Sequence, residues 1–166
     1  MDFISNSRNS TAIFFALSLT AILTALAYEH IGGYKPCPLC LQERYAYYAG
    51  TPLSLAALFA AQTGRINWAS ILIVIAGLGF LINAGLGLYH SGVEWHWWTG
   101  PTACTGSDSS NLGAAGGNFL ESLEKIKVIR CDEAPWRLLG LSFAGWSGII
   151  SLFLSLLSVK IFKDLR

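Results

Sequence analysis

Four cysteines carry the chemistry this chain can offer, and they fall into two unlike pairs. Cys37 and Cys40 enclose Pro38 and Leu39, whereas Cys104 and Cys131 stand 27 residues apart. Pro38 suits the first position of a helix, where its missing N–H has no intrahelical partner anyway, so a helix is expected to begin at this motif. Residues three apart at a helix start can bring their Cα atoms within the roughly 4.4–6.8 Å that a disulfide requires. The unpaired N–H groups and the positive end of the helix dipole there also favour a thiolate over a thiol. Four cysteines allow three pairings; the sequence favours Cys37 with Cys40 and Cys104 with Cys131, the first pair poised for exchange. A static staple is the duller reading, but so short a loop removes little unfolded-chain entropy. Tetrahedral zinc usually recruits two closely spaced ligand pairs, and neither Cys104 nor Cys131 has a Cys or His at such spacing; no metal is expected. Covalent haem attachment needs His at position 41, where Leu41 stands.

A dithiol pair that turns over needs an electron acceptor, and no phosphate-binding loop is present. Arg44 lies four residues after Cys40, on the same helical face, where the chain is about to become apolar. A guanidinium there can stabilise a thiolate and the oxygen of a reducing quinone, or it can simply snorkel to lipid headgroups. His90 and His30 each end an apolar stretch at the same depth and can donate a hydrogen bond or proton to a quinone oxygen. Glu43 is read as orienting Arg44 or as solvated.

These residues need a scaffold, and composition says which kind. Of 166 residues 53% are hydrophobic and 13% charged, against about 25% charged in soluble domains. The net charge of +1 gives no electrostatic support for binding nucleic acid. Four stretches, 11–28, 45–62, 68–89 and 140–159, contain no Lys, Arg, Asp or Glu. Each is long enough to cross a bilayer, for which about 17–25 residues suffice, and in lipid each must be helical. The expectation is an all-α membrane protein, a single domain over 1–166 built as a four-transmembrane-helix bundle, with loops at 29–44 and 90–139. The tails and the 63–67 turn hold five basic residues in 22, the two loops six in 66, which puts both termini in the cytoplasm. All four cysteines then lie outside, as an oxidising compartment would require. A cleaved signal peptide ending at Ala25-x-Ala27 is the competing reading of the first stretch. Within the second loop, the Gly/Ser-rich segment 105–118 would let Cys104 swing, and Phe119, Leu120, Leu123 and Ile126 recur at helical spacing, as in a short membrane-surface or covering helix. Trp95, Trp97 and Trp98 read as an interfacial belt, or as a docking surface for a partner.

Taken together, the chain resembles the DsbB family of bacterial inner-membrane, quinone-linked thiol oxidases. The likeness rests on the four spans, Cys37-Pro38-Leu39-Cys40 followed by Glu43-Arg44, Tyr89-His90, the segment Gly100-Pro101-Thr102-Ala103-Cys104, and Cys131 followed by Trp136 and Leu139-Gly140-Leu141. The resemblance implies a relay. A periplasmic, thioredoxin-fold, DsbA-like partner attacks Cys104; exchange among Cys131, Cys37 and Cys40 restores the Cys104–Cys131 bridge, and Cys40 passes the electron pair to quinone beside Arg44. It also implies residence in the inner membrane, periplasmic cysteines and a quinone acceptor, ubiquinone favoured and menaquinone possible. The Gly/Ser-rich insertion and Pro38 within the CxxC depart from the family's pattern. An enzyme like vitamin K epoxide reductase, or a disulfide-stapled scaffold subunit without turnover, would be the alternatives.

Overall fold

The computed structural model of the protein describes residues 2–101, 131–132, 134 and 137–166. Over these it contains four long helices: α1 (Asp2–His30), α2 (Pro38–Gln62), α3 (Ile66–Glu94) and α4 (Phe143–Leu165). Helix α3 packs on α2 and α4, and α1 packs on the same two, closing a ring. Cys104, the segment 105–118 and the expected surface helix lie outside the described residues.

Local chemistry sets the helix ends. Helix α2 starts where Pro38 permits, with Cys37 as its N-cap. Helix α3 ends in a Schellman motif: His96 takes a positive φ of 57°, its N–H bonds to the Val93 carbonyl, and the Trp97 N–H bonds back to Gly92. The chain thereby folds Trp98 against Gly92, stacks its ring on Tyr89 and donates its indole N–H to the Tyr89 carbonyl. The apolar run after residue 139 does not enter α4 at once. Strand β1 (Arg137–Leu138) pairs antiparallel with β2 (Leu141–Ser142), and Leu139 and Gly140 between them have φ of 55° and 84°, as a two-residue type I′ hairpin demands. Ser142 then caps α4 by accepting from the Gly145 N–H, so the helix begins at Phe143 rather than Gly140.

The core is built from Phe14, Tyr47, Ile73, Phe80, Leu154 and Ile161 with smaller residues around them. Phe80 receives Phe14 and Tyr47 edge-on, at centroid distances of 5.6 and 5.1 Å. Polar ties cross the interior as well: the Tyr47 hydroxyl donates to the Ser147 carbonyl at 3.2 Å and meets Ser151 Oγ at 3.0 Å, and Asn83 Nδ2 donates to the same Ser151 at 2.9 Å. In an apolar medium such hydrogen bonds join helices that gain little from the hydrophobic effect.

Among the described residues, three segments are long and apolar enough to cross a membrane: Ser7–His30, Ile66–Glu94 and Phe143–Leu165. Helix α2, with 25 residues, has the length, since about 20 residues at roughly 1.5 Å each cover 30 Å. It is less apolar: its first turns carry Gln42, Glu43 and Arg44, and its body is rich in Ala, Ser, Thr and Tyr.

Candidate redox site

The site is assembled at the junction of the α2 N-terminus and the α3 C-terminus. Cys37, as N-cap, accepts a hydrogen bond at Sγ from the Cys40 N–H at 3.2 Å. The two residues are free cysteines, and their sulfurs lie 2.7 Å apart. Cys37 is buried, while Cys40 is partly open. Such proximity, one helical turn apart, is what the spacing in the sequence required.

Across the gap, α3 contributes His90. Its Nε2 stands 3.7 Å from Cys37 Sγ, and its Nδ1 is held by Glu43 Oε1 at 2.7 Å. Both side chains are buried. Glu43 therefore neither orients Arg44 nor faces solvent. Three residues past Cys40 on α2, it is turned into the bundle, and a carboxylate buried there requires a partner, which His90 supplies. The carboxylate fixes the ring and its tautomer, directing Nε2 at the sulfur.

Cys131 completes the cluster. It is buried and disulfide-bonded, its bridge partner lying outside the described residues. The Sγ atoms of Cys37 and Cys131 and a ring nitrogen of His90 all lie within 4.8 Å of one another. Leu39 and Val93 are buried with Cys37 and Cys131 in one apolar cluster. The hydrogen bond from Cys40, then that of His90 with its charge, then the Cys40 N–H, outweigh burial and hold Cys37 down at about 5, well below its ordinary 9.0. A thiolate at Cys37, beside a disulfide sulfur, is an arrangement for thiol–disulfide exchange.

Other expected site residues sit apart from this cluster. Arg44 reaches across to α1, donating through its guanidinium to the Glu29 carboxylate and, at 3.3 Å, to the Ala25 carbonyl. His30 is exposed and bonds back to Leu26 O of its own helix at 3.0 Å. Two acids were not singled out from the sequence. Glu29, the residue before His30, turns out to be the partner of Arg44. Glu94, four residues after His90 and so on the same face of α3, is buried against the Ser142 hydroxyl, and its Oε2 has no hydrogen-bond partner among the described residues. An acid at i+4 from a candidate His was the available signal.

The fold and site define a membrane-spanning helical bundle whose thiols are set for redox exchange at one end. Comparison with known proteins gives that class its family: the model for disulfide bond formation protein DsbB matches residues 7–161, and the chain belongs to the DsbB family. Among its relatives, a disulfide bond formation protein B of Marinobacter nauticus is 29% identical, covering 92% of this chain and 88% of its own. One of Cupriavidus metallidurans is also 29% identical, covering 92% and 90%. An uncharacterised protein of Rickettsia prowazekii is 27% identical over 86% of this chain and 80% of its own. No solved structure matches. The family's role is disulfide bond formation, and this chain is a redox protein of that kind.

Proposed function

We propose that this protein is a thiol:quinone oxidoreductase that reoxidises a DsbA-like, thioredoxin-fold partner in the periplasm of a bacterium. A thiolate of the partner attacks Cys104 Sγ, breaking the Cys104–Cys131 bond, expelling the Cys131 thiolate and forming a mixed disulfide. The partner's second thiolate then attacks the partner sulfur of that mixed disulfide, expelling the Cys104 thiolate and releasing the partner with its own disulfide closed. The two thiols so formed at Cys104 and Cys131 are reoxidised by exchange through Cys37 and Cys40, and Cys40 delivers the pair. Per cycle one dithiol becomes a disulfide and one quinone becomes a quinol, two electrons and two protons passing from the first to the second. For two electrons, roughly 30 mV of potential difference corresponds to about 1.4 kcal/mol, so a strongly oxidising acceptor drives an otherwise uphill thiol step.

The observation that carries this reading is the approach of Cys131 to Cys37, both buried with His90 within 4.8 Å. It supplies a short route between two cysteine pairs that are far apart in sequence. Arg44, at the outer end of α2, is the residue to hold a quinone oxygen, its guanidinium kept in place by Glu29; His90 and Glu43 act on the sulfur side, and His30 has the weakest tie to the site. Helix α2 is taken as the fourth span, which leaves both termini in the cytoplasm and the cysteines in the periplasm of the inner membrane. Ubiquinone is the favoured acceptor, menaquinone the alternative. The test is direct: purified protein, a reduced thioredoxin-fold dithiol partner and a soluble quinone, followed by quinone absorbance. Turnover is expected in the wild type, none in Cys40→Ser or Cys104→Ser, and a raised apparent quinone KM in Arg44→Ala. Equal rates in wild type and Cys40→Ser would leave only a stapled scaffold.

A further inference from the structure

Three of the buried polar groups around the bundle's cysteine end have the identity and the separation of a ligand set for a soft cation. Sequence spacing had counted against zinc, because Cys131 has no Cys or His near it in the chain. Folding changes that count by bringing Cys131 to Cys37 and His90, with all three ligand atoms within 4.8 Å of one another. A tetrahedral ion with metal–sulfur bonds of about 2.3 Å and metal–nitrogen bonds of about 2.0–2.1 Å needs sulfur–nitrogen separations of roughly 3.6 Å and sulfur–sulfur separations of roughly 3.8 Å. Cys37 Sγ and His90 Nε2 are 3.7 Å apart. The other pairs, all within 4.8 Å, need a contraction of at most about 1.2 Å to reach that tetrahedral geometry.

Two further observations point to the same ligand. His90 is held at Nδ1 by the buried Glu43 carboxylate at 2.7 Å, so that Nε2 faces the sulfurs; a carboxylate behind a histidine is the usual outer shell of a zinc ligand. Leu39 and Val93 are buried beside Cys37 and Cys131, and apolar neighbours of this kind limit solvent access to an ion. Cys40 stands outside that three-residue cluster, with its sulfur 2.7 Å from that of Cys37, and a change of its side-chain rotamer away from Cys37 would be needed to supply a fourth ligand. Cys131 is disulfide-bonded here, and a disulfide sulfur is not a thiolate ligand.

We infer that the fully reduced protein binds one thiophilic divalent cation, of the zinc class, through Cys37, Cys131, His90 and Cys40, and that the oxidised protein does not. Loading requires a two-electron reductant for the Cys131 disulfide: a dithiol, which gives two electrons and two protons and ends as a disulfide, or a phosphine, which with water gives the two thiols and ends as its oxide. The ion then displaces the protons from the ligating thiols to solvent. Binding would lock the cysteines in their reduced state, making the site a redox-gated inhibitory one.

Cobalt(II) is the probe. Full-length protein in detergent, reduced anaerobically with a trialkylphosphine and then freed of it, is titrated with Co2+ while thiolate-to-cobalt charge-transfer and tetrahedral d–d absorption are recorded. The reduced wild type is expected to saturate at one equivalent and to lose the bands on addition of Zn2+, whereas the oxidised protein shows none. Cys131→Ser and His90→Ala are expected to lose the tetrahedral signal. Glu43→Gln should weaken cobalt affinity by about 10–100-fold, as removal of an outer-shell partner does elsewhere. His90→Cys, which swaps one ligand for another, should keep binding with shifted bands, so that loss in His90→Ala is not mistaken for misfolding. Absence of charge-transfer bands in the reduced wild type, or bands unchanged by Cys131→Ser and His90→Ala, would overturn the inference. Metal-free turnover with dithiol and quinone is measured separately, so failure of cobalt binding leaves the oxidoreductase reading standing, and the reverse.

Discussion

At the scale of the residue, the site turns on a charge arrangement around one sulfur. Cys37 is held at about 5 by Cys40, His90 and the helix N-terminal amide, against an ordinary 9.0. Its folded-state value lies below the unfolded one, so the dithiol form gains stability that is complete above about pH 9 and fades as pH falls toward about 5. The same ordering predicts the ultraviolet thiolate titration of the reduced protein. The wild type should show its first thiolate step near pH 5, and His90→Ala should move that step up toward 9.0, with His90→Gln between the two because it keeps a hydrogen-bond donor and loses the charge. A first step that stays put in both variants would remove His90 from control of the thiolate. Much of this site was legible in the sequence: Cys37-Pro38-Leu39-Cys40 and His90 announce themselves by type and place. What Glu43 binds was not legible, because its neighbour Arg44 offers an obvious local partner while His90 is 47 residues away. The helix turns the two adjacent side chains in different directions, Glu43 inward to α3 and Arg44 sideways to Glu29 of α1.

At the scale of the element, the helices are positioned by what they lack. Helices α3 and α4 cross at Gly87 and Gly148, where a Cβ built on Gly87 would lie 2.7 Å from the Gly148 Cα and 2.8 Å from its nitrogen. That backbone contact cannot yield without moving a helix, and overpacking of this kind typically costs about 1–3 kcal/mol. A Cβ on Gly148 meets nothing closer than 3.4 Å, an ordinary contact. Gly87→Ala should therefore lower the thermal unfolding midpoint in detergent, and Gly148→Ala should leave it nearly unchanged. Equal midpoints for the two variants would mean that the helices do not meet as described. Since α3 carries His90 three residues beyond Gly87, Gly87→Ala should also disturb the approach of His90 to Cys37. The small-residue pattern of α4 is legible in the sequence, where Ser147, Ser151 and Ser155 recur every fourth residue. Its partner was not, since a small residue marks that something comes close and not which helix does. The β1–β2 hairpin escaped notice for a related reason: Leu139-Gly140-Leu141 reads as the start of an apolar run, and only the positive φ at Leu139 and Gly140 separates it from the helix.

At the scale of the whole molecule, alternation of helix direction gathers the chemistry at one end. Glu29 lies at the end of α1, Cys37 and Cys40 at the start of α2, His90 and Glu94 at the end of α3, and Ser142 at the start of α4. The opposite end holds Arg8, Arg65 in the α2–α3 turn, and Lys160, Lys163 and Arg166 at the close of α4. The site end carries Lys35, Arg44 and Arg137, of which Arg44 is paired with Glu29. Basic residues flanking spans favour the cytoplasmic side during insertion, and the proposed function puts the sulfur cluster on the outer face, where an oxidising environment would meet it. Lys35 and Arg65 are both exposed and lie at the two opposite ends, which makes them suitable reporters. In a background with the four native cysteines replaced, Lys35→Cys should react with a membrane-impermeant maleimide in intact cells. Arg65→Cys should react only after the membrane is permeabilised. The reverse pattern would turn the bundle over and put the cluster in a reducing compartment, where a disulfide-forming cycle through Cys131 could not be sustained. Labelling of both sites in intact cells would instead mean that α2 does not cross, leaving its first turns and Cys40 on a surface segment and the α2–α3 turn on the same side as the sulfurs.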